Sequence, residues 1–439
     1  MKRKKGNEHE TEKLLGMKLV MAVSVWGLSL ASLFAADVAQ VVTRQLWPWS
    51  TDVLVTYSLT GTDAGCYDID CSILKDGEPV SIPFGAIDWF GRFGVAPGAT
   101  SSFKWDPSKT SLTNCISSNV QVSLSVTNAS YIVIDVSGGP TAENYPVTVL
   151  NGIPAGGWTD DYKTTKIVLR RVPAGTFMMG SPDGEVGRDS TRETLHQVTL
   201  TRDFYIGVFE ITCSQCSLVT GRAESSYTSI SASANYDNKM PANEMSYNQV
   251  RGATQGARFP ASSAVDADSF LGLLRAKTAS AMASLSLPQG YSFDLPTDAE
   301  WEYACRAGTT TSLNNGKNVS LGVDESGVDA ALAEVARYKL ASDYGNVDIV
   351  GSHRPNALGL YDMHGNIEEL CLDWSAVDLG SSAVTDPVGP SSAYNRLRRG
   401  GSRWSLAFRH RSASRVAVSA SDVGYTWGVR LAFRPDVGQ

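Results

Sequence analysis

The stretch Asn356-Ala-Leu-Gly-Leu-Tyr-Asp-Met-His-Gly-Asn-Ile-Glu-Glu-Leu370 constrains this chain more than any other. It sets two acids, Asp362 and Glu369, on either side of a glycine hinge, Gly365, with main-chain carbonyls at the turn positions between them. Carboxylates and carbonyls together are the ligands that a hard cation such as Ca²⁺ takes. A second stretch, Arg398-Arg-Gly-Gly-Ser-Arg-Trp-Ser405, lies close downstream. The two stretches are candidates either for the walls of a catalytic site or for the centre of a folded scaffold.

The rest of the chain limits what that centre can serve. At about 100–200 residues per domain, 439 residues allow two to four domains, each with a sizeable core. Forty glycines and no long helical period point to turns, loops and short strands. A net charge of −7 argues against a nucleic-acid partner, because phosphate binding needs a basic surface. The same charge agrees with an ordinary soluble surface.

The N-terminus carries Lys2-Arg-Lys-Lys5, a polar run, Met17-Lys18, and an apolar run from Leu19 to Ala36 that ends on small residues. Residues 1–36 therefore read as a secretory signal peptide, or as an uncleaved signal anchor. A start at Met17 in place of Met1 gives the signal its conventional length. Either reading places the body outside the cytoplasm, in the periplasm, on the cell surface or in the medium. Membrane contact is then expected through this segment alone.

Seven cysteines, an odd number, leave at least one thiol outside any intramolecular pairing. Cys213-Ser-Gln-Cys216 has the spacing of a redox or metal pair. No second pair and no nearby histidine completes a zinc site, so a buried incidental pair or a local disulfide is the simpler reading.

Val53, Val55, Tyr57 and Leu59 alternate with mostly polar neighbours, as do Val120, Val122, Leu124 and Val126. This is the period of half-buried strands. Tyr131-Ile-Val-Ile-Asp-Val136 has the β-branched content of a third strand. With turn-rich segments between them, these runs predict a small all-β sandwich over 37–150, closed by a linker region near 138–160. From Ile167 the character changes. Strands are expected around 166–181, 204–212 and 428–433. Thr297 and Glu300 predict a capped helix start at Leu295-Pro-Thr-Asp-Ala-Glu-Trp-Glu-Tyr-Ala304.

These segments form an ordered set of words. They are Val172-Pro-Ala-Gly-Thr-Phe-Met-Met-Gly180, Phe204-Tyr-Ile-Gly207 with Glu210-Ile-Thr212, and Leu295-Pro-Thr-Asp-Ala-Glu-Trp-Glu-Tyr303. They continue with Pro355 to Asn366, Arg399-Gly-Gly-Ser402, Arg411-Ser-Ala413 with Arg415, and Gly428-Val-Arg-Leu431. In this order they resemble the formylglycine-generating enzyme (sulfatase-modifying factor) family, over about residues 160–435. The resemblance implies an α+β fold of the C-type-lectin-like kind, preceded here by the small β-sandwich. It also implies a structural calcium ion held by Asp362, the carbonyls of Gly365 and Ile367, and Glu369. Two carboxylates flanking a glycine turn agree with that ligand set.

The family's oxidation of a sulfatase cysteine to formylglycine uses copper, and copper(I) favours thiolates. The two family cysteine positions fall on Ser405 and His410, and no cysteine follows Cys371. Ser402 of the Gly-Gly-Ser word is retained, but a lone hydroxyl carries no such oxidation, so copper is not expected. The aromatic residues that the family places beside its calcium glutamate are Glu368 and Leu370 here. His364 and His410 could rebuild a metal site, since histidines with a carboxylate suit non-haem iron; the simpler reading is a turn residue and a packed or surface one. The arginines at 396, 398, 399, 403, 409, 411 and 415 are either structural ion pairs or a surface for acidic or sulfated ligands.

Three functions remain. The first is an exported, calcium-stabilised binding or scaffold protein lacking the cysteine pair, with a protein, peptide or glycan ligand. The second is a formylglycine-generating oxidase working through a residue that the sequence does not reveal. The third is a thiol oxidoreductase through Cys213 and Cys216.

Overall fold

The structure, a computed structural model, describes residues 36–46, 50–61, 65–83, 85–112, 119–223, 236–322, 327–338, 347–376 and 378–438. The segment read as a signal (save Ala36) and Cys115 lie outside these residues. The chain forms two units, one holding residues up to 63 with 68–127, the other 64–67 with 128–439.

The first unit is all β. Strand Val53–Gly61 pairs antiparallel with Ala36–Gln45 on one side and Thr100–Trp105 on the other. Val53, Val55, Tyr57 and Leu59 are all buried, as their period of two predicts. A second three-stranded sheet runs in the order Glu78–Val80, Tyr67–Lys75, Val120–Asn128. The Arg92 side chain donates from Nε to the Ile69 carbonyl at 3.0 Å.

The expected third strand does not belong to this unit. Tyr131–Asp135 pairs with Lys166–Val172 and with Val147–Leu150 in a six-stranded sheet of the second unit. Ile132, Val133 and Ile134 are all buried, so the strand is covered on both faces. The division therefore falls near residue 128, not 150. The region 138–160 carries the strand Val147–Leu150 and is no inter-domain linker.

That sheet continues through Phe204–Gly207, Ala432–Pro435 and Tyr291–Asp294. Two expected strands are shorter than their apolar runs. Beyond Gly207 the chain turns into the helix Cys213–Thr220, capped by Thr212 with Gln215. Before Ala432, the carbonyls of Val429 and Leu431 accept from the amides of Ile211 and Gly207 instead of joining the ladder. A 15-residue helix, Phe270–Ser284, which no helical period announced, packs Phe270, Leu271 and Leu274 into the same core.

The expected helix is present as Asp298–Arg306. The Thr297 hydroxyl accepts from the Glu300 amide at 3.1 Å, and the Glu300 carboxylate accepts from the Thr297 amide at 2.8 Å. All nine of its residues are buried, which an acidic helix tolerates only with internal counter-charges. Arg399 and Arg415 meet Asp298, Arg399 and Arg306 meet Glu302, and Arg434 meets Glu300. A four-stranded sheet lies beside it, in the order Val416–Val418, Arg396–Arg399, Glu368–Trp374, Trp427–Gly428. The unit is mixed α+β, mostly sheet with few helices. Among the described residues no helix is long and apolar enough to cross a membrane.

Candidate functional site

The stretch from Asn356 to Leu370 is held by hydrogen bonds as well as by its buried apolar residues, Leu358, Leu360, Met363, Ile367 and Leu370. The Asn356 carboxamide oxygen accepts from the amides of Leu358 and Leu360, and its nitrogen donates to the Ala304 carbonyl at 2.8 Å. This ties the turn to the end of the buried helix. Gly365 sits at φ +86, and a Cβ there would lie 2.2 Å from the Arg337 carbonyl oxygen, so no other residue fits. Its amide donates to the Gly400 carbonyl at 2.9 Å, and the Arg403 amide donates to the Asn366 carbonyl at 3.0 Å. The two stretches singled out in the sequence are thus joined main chain to main chain.

Of the residues expected to hold calcium, both carboxylates are engaged by protein groups. Glu369 is 1% exposed, and both its oxygens are occupied. Arg430 Nε lies 2.9 Å from each, Arg430 Nη2 donates to Oε1 at 2.6 Å, and Trp301 Nε1 donates to Oε2 at 2.6 Å. Asp362 is turned elsewhere, accepting the Gly351 amide at 2.6 Å with His353 Nδ1 at 3.8 Å. The guanidinium also donates to the carbonyls of Gly207 and Tyr361. Arg430 therefore collects a carboxylate and two carbonyls, the kind of oxygen set that a calcium ion would need. A fixed positive charge against Glu369 repels a second cation. Glu210, buried close by, has its carboxyl held well above the usual range by burial and by the charges of Asp362 and Glu369. Its oxygens accept from the Asn366 side chain at 2.6 Å and the Ile367 amide at 3.2 Å. The carbonyl positions of Gly365 and Ile367 stay on the turn without a Glu369 carboxylate free to complete them.

Beside this turn lies a cavity of about 440 Å³. Ser402 and Ser405 line it with Glu368, Arg398, Trp404 and Arg409, along with Leu406, Phe408, Val416 and Thr426. The Ser402 and Ser405 hydroxyls are 3.1 Å apart, and the Ser402 amide also donates to Ser405 Oγ. Neither hydroxyl is bonded to an imidazole or a carboxylate among the described residues, so neither has a base to activate it. Glu368, expected only as a departure from the family pattern, forms part of the floor. Arg398 Nη1 lies 2.6 Å from Glu368 Oε2, an ion pair bent away from hydrogen-bond geometry. Burial raises the Glu368 carboxyl above its usual range, against the pull of Arg398 and Arg409. Arg398 also stacks on Trp427, with its guanidinium 4.4 Å from the ring centre.

His410 does not line this cavity. It is fully buried, its ring nitrogens facing the carbonyls of Leu406 at 3.1 Å and Ser402 at 3.2 Å. Gly401 makes room for it, since a Cβ there would meet the imidazole at 2.8 Å. Burial lowers the His410 pKa to about 4. His364 is also sealed, donating from Nδ1 to the His410 carbonyl at 2.6 Å and accepting at Nε2 from the Asn314 amide at 3.0 Å. Cys305 Sγ lies 3.8 Å from that same nitrogen, a thiol–imidazole pair that the sequence did not announce. It is no nucleophile, because burial pushes the thiol up to about 12 and the imidazole lone pair is already taken. Among the described residues no group of three or more His, Cys, Asp or Glu side chains could hold a metal ion.

Burial lowers His364 to about 3, so the folded chain leaves it neutral where the unfolded chain protonates it. Stability is then lost as pH falls below about 6.5, by about 1.4 kcal/mol per pH unit. Urea unfolding at pH 7.5 and pH 5 should cost the native chain roughly 2 kcal/mol more than His364→Gln. Equal losses in the two proteins would refute the neutral assignment.

Cys213 and Cys216 are buried and engaged separately, Cys213 with the Pro241 carbonyl at 3.7 Å and Cys216 with Met245 Sδ at 3.4 Å. The local disulfide is not formed. Burial holds the Cys216 thiol well above its ordinary pKa, which removes the thiolate that disulfide exchange needs. Of the arginine cluster, Arg399, Arg411 and Arg415 are structural: Arg411 forks onto Glu193 at 2.7 and 2.8 Å and also meets Glu185. Arg396 lies against the Trp374 ring at 3.3 Å and donates to carbonyls of Leu372 and Ala257. Arg398 and Arg409 face the cavity.

A mixed α+β unit in which a glycine-hinged turn is bonded to a Gly-Gly-Ser loop beside one groove defines a class of domain. The pattern described as "Sulfatase-modifying factor enzyme 1-like domain" matches residues 160–435, and the chain belongs to that family. It is similar to the formylglycine-generating enzyme of Mus musculus, 31% identical over 142 residues, which is 30% of this chain and 37% of that protein. The formylglycine-generating enzyme of Streptomyces coelicolor is 31% identical over 33% of this chain and 47% of its own. The Serine/threonine-protein kinase pkn1 of Chlamydia pneumoniae is 32% identical over 31% of this chain and 20% of its own. The chain thus spans half or less of the length of these relatives. Among solved structures, Treponema denticola variable protein 1 aligns with a TM-score of 0.46 at 24% identity, over 62% of this chain and 96% of that one.

Proposed function

We propose that the chain is an exported binding or scaffold protein of the sulfatase-modifying-factor family, one that has lost the thiol oxidation of formylglycine-generating enzymes. One observation carries this reading. Ser405, where the resemblance places the first metal-binding cysteine, stands on the groove wall, and the lining holds no thiol. The second position, His410, is walled off from the groove and neutral. Cys216, Cys305 and Cys371 are buried, and burial raises their pKa values. What the groove retains is a recognition surface: two guanidinium groups, one carboxylate, three hydroxyl residues and an aromatic wall. A protein, peptide or glycan is its ligand. The N-terminal β unit and the basic–apolar leader support display outside the cytoplasm.

Incubating the full chain with copper and a peptide carrying the sulfatase cysteine motif, under oxygen, should yield no aldehyde by mass spectrometry, while a thiol-bearing member of the family run in parallel does. Turnover comparable to that member would restore the oxidase reading.

A further inference from the structure

We propose that the groove and its rim dock an acidic protein segment, seating one carboxylate side chain between Arg398 and Arg409 and an apolar neighbour against Trp404 and Phe408. The proposal rests on reading the groove as a binding site, and it gives that site its ligand class.

Charge is the first support. The chain as a whole carries −7, yet the charged lining of the groove is two arginines and one glutamate. Glu368 is already committed to Arg398 at 2.6 Å. Even so, Arg398 Nε meets no acceptor among the described residues, and Nη1 faces Glu368 only in a bent geometry. A buried donor without an acceptor is a standing cost that a ligand oxygen relieves. Arg409 rests on the Phe408 ring at 5.0 Å and adds the second positive charge. Two guanidinium groups around one approach path suit a carboxylate, whose oxygens accept in the plane of the fork.

The apolar surface is the second support. Trp404, Leu406, Phe408 and Val416 line the groove. At the rim Tyr425 is 52% exposed, and its ring meets Trp404 edge-on at 6.4 Å. Tryptophan, tyrosine and arginine together are the composition of protein-binding hot spots. A sugar site would need several free amides or carboxylates for ring hydroxyls, and the single carboxylate here is taken.

The third support is backbone. Among the described residues Val416–Val418 is the outer strand of its sheet, laddered to Arg396–Arg399 alone, and Val416 reaches the groove. An extended segment can add to such an edge while its side chains enter the pocket.

The test uses the full chain and immobilised dodecapeptides with Asp or Glu beside Leu or Phe, matched peptides with Asn or Gln in the acidic place, and oligoglucuronate as a carboxylate on a sugar. The acidic peptides should bind at least about tenfold tighter than their amide partners, and added salt should weaken them. Arg409→Gln, at a half-buried position, should cost about tenfold with thermal unfolding unchanged. Glu368→Gln should strengthen binding by releasing Arg398. Equal binding of acidic and amide peptides, retention only of oligoglucuronate, or no binding of any peptide would overturn the proposal. Aldehyde formation in the copper assay would instead sink the non-oxidase reading and leave the carboxylate preference standing, so the two failures are distinguishable.

Discussion

Replacing Glu369 by glutamine is expected to cost about 3–5 kcal/mol, and the same amount in calcium as in chelator. The reason lies with Arg430. Its guanidinium is fully buried and matched to Glu369, with Nη2–Oε1 at 2.6 Å and both side chains at most 1% exposed. Removing the charge of one partner strands the other in a medium that solvates it poorly. Urea denaturation of the full chain and of the variant, each with calcium and with a chelator, measures both parts. Arg430→Met should be comparably destabilised, and the double replacement with Glu369→Gln should recover part of the loss, because no isolated charge then remains. If the native chain loses stability on chelation and Glu369→Gln abolishes that response, Glu369 is a calcium ligand after all and the assignment to Arg430 fails.

Arg399→Met should be at least as damaging, at about 3–5 kcal/mol or more. Arg399 is fully buried, bonded from Nε to Asp298 at 2.5 Å and from Nη2 to Glu302 at 2.9 Å, and it donates to the carbonyls of Ser412 and Ser414. Arg415 and Arg306 still reach the two acids, so the loss falls short of two naked charges. A domain stable by about 5–15 kcal/mol would then populate its unfolded state appreciably. Chemical denaturation followed by tryptophan fluorescence reads this directly, since Trp301 lies beneath the Arg399 guanidinium at 5.6 Å. A change below about 1 kcal/mol would mean that the neighbouring arginines suffice.

Local chemistry made much of this legible in the sequence. Thr297 and Glu300 announced a helix start because capping is settled within three residues. Gly365 announced a turn because only glycine tolerates its backbone beside Arg337. The alternation of Val53 to Leu59 announced a strand with one buried face. Long-range pairing was not legible. Tyr131–Asp135 is apolar on both faces, which identifies a strand but not the sheet it joins. The helix Phe270–Ser284 buries residues mainly in its first half and ends in exposed Ala and Ser, so its period is faint. The pairing of Glu369 with Arg430 was not legible for the same reason: the two residues are 61 positions apart. The groove is assembled from three separated segments around Glu368, Ser402 and Thr426, and no single stretch displays it.

The main-chain bonds from Gly365 to Gly400 and from Arg403 to Asn366 fix where the loop 402–409 begins, while the Arg411 fork onto Glu193 anchors the chain just past its end. Neither anchor uses the side chains of Trp404, Leu406 or Arg409. Those positions are free to be rewritten by mutation without loosening the frame that presents them. On the binding reading proposed above, specificity and stability are encoded in different residues, and a lineage carrying such a domain could change its ligand while keeping the fold it already has.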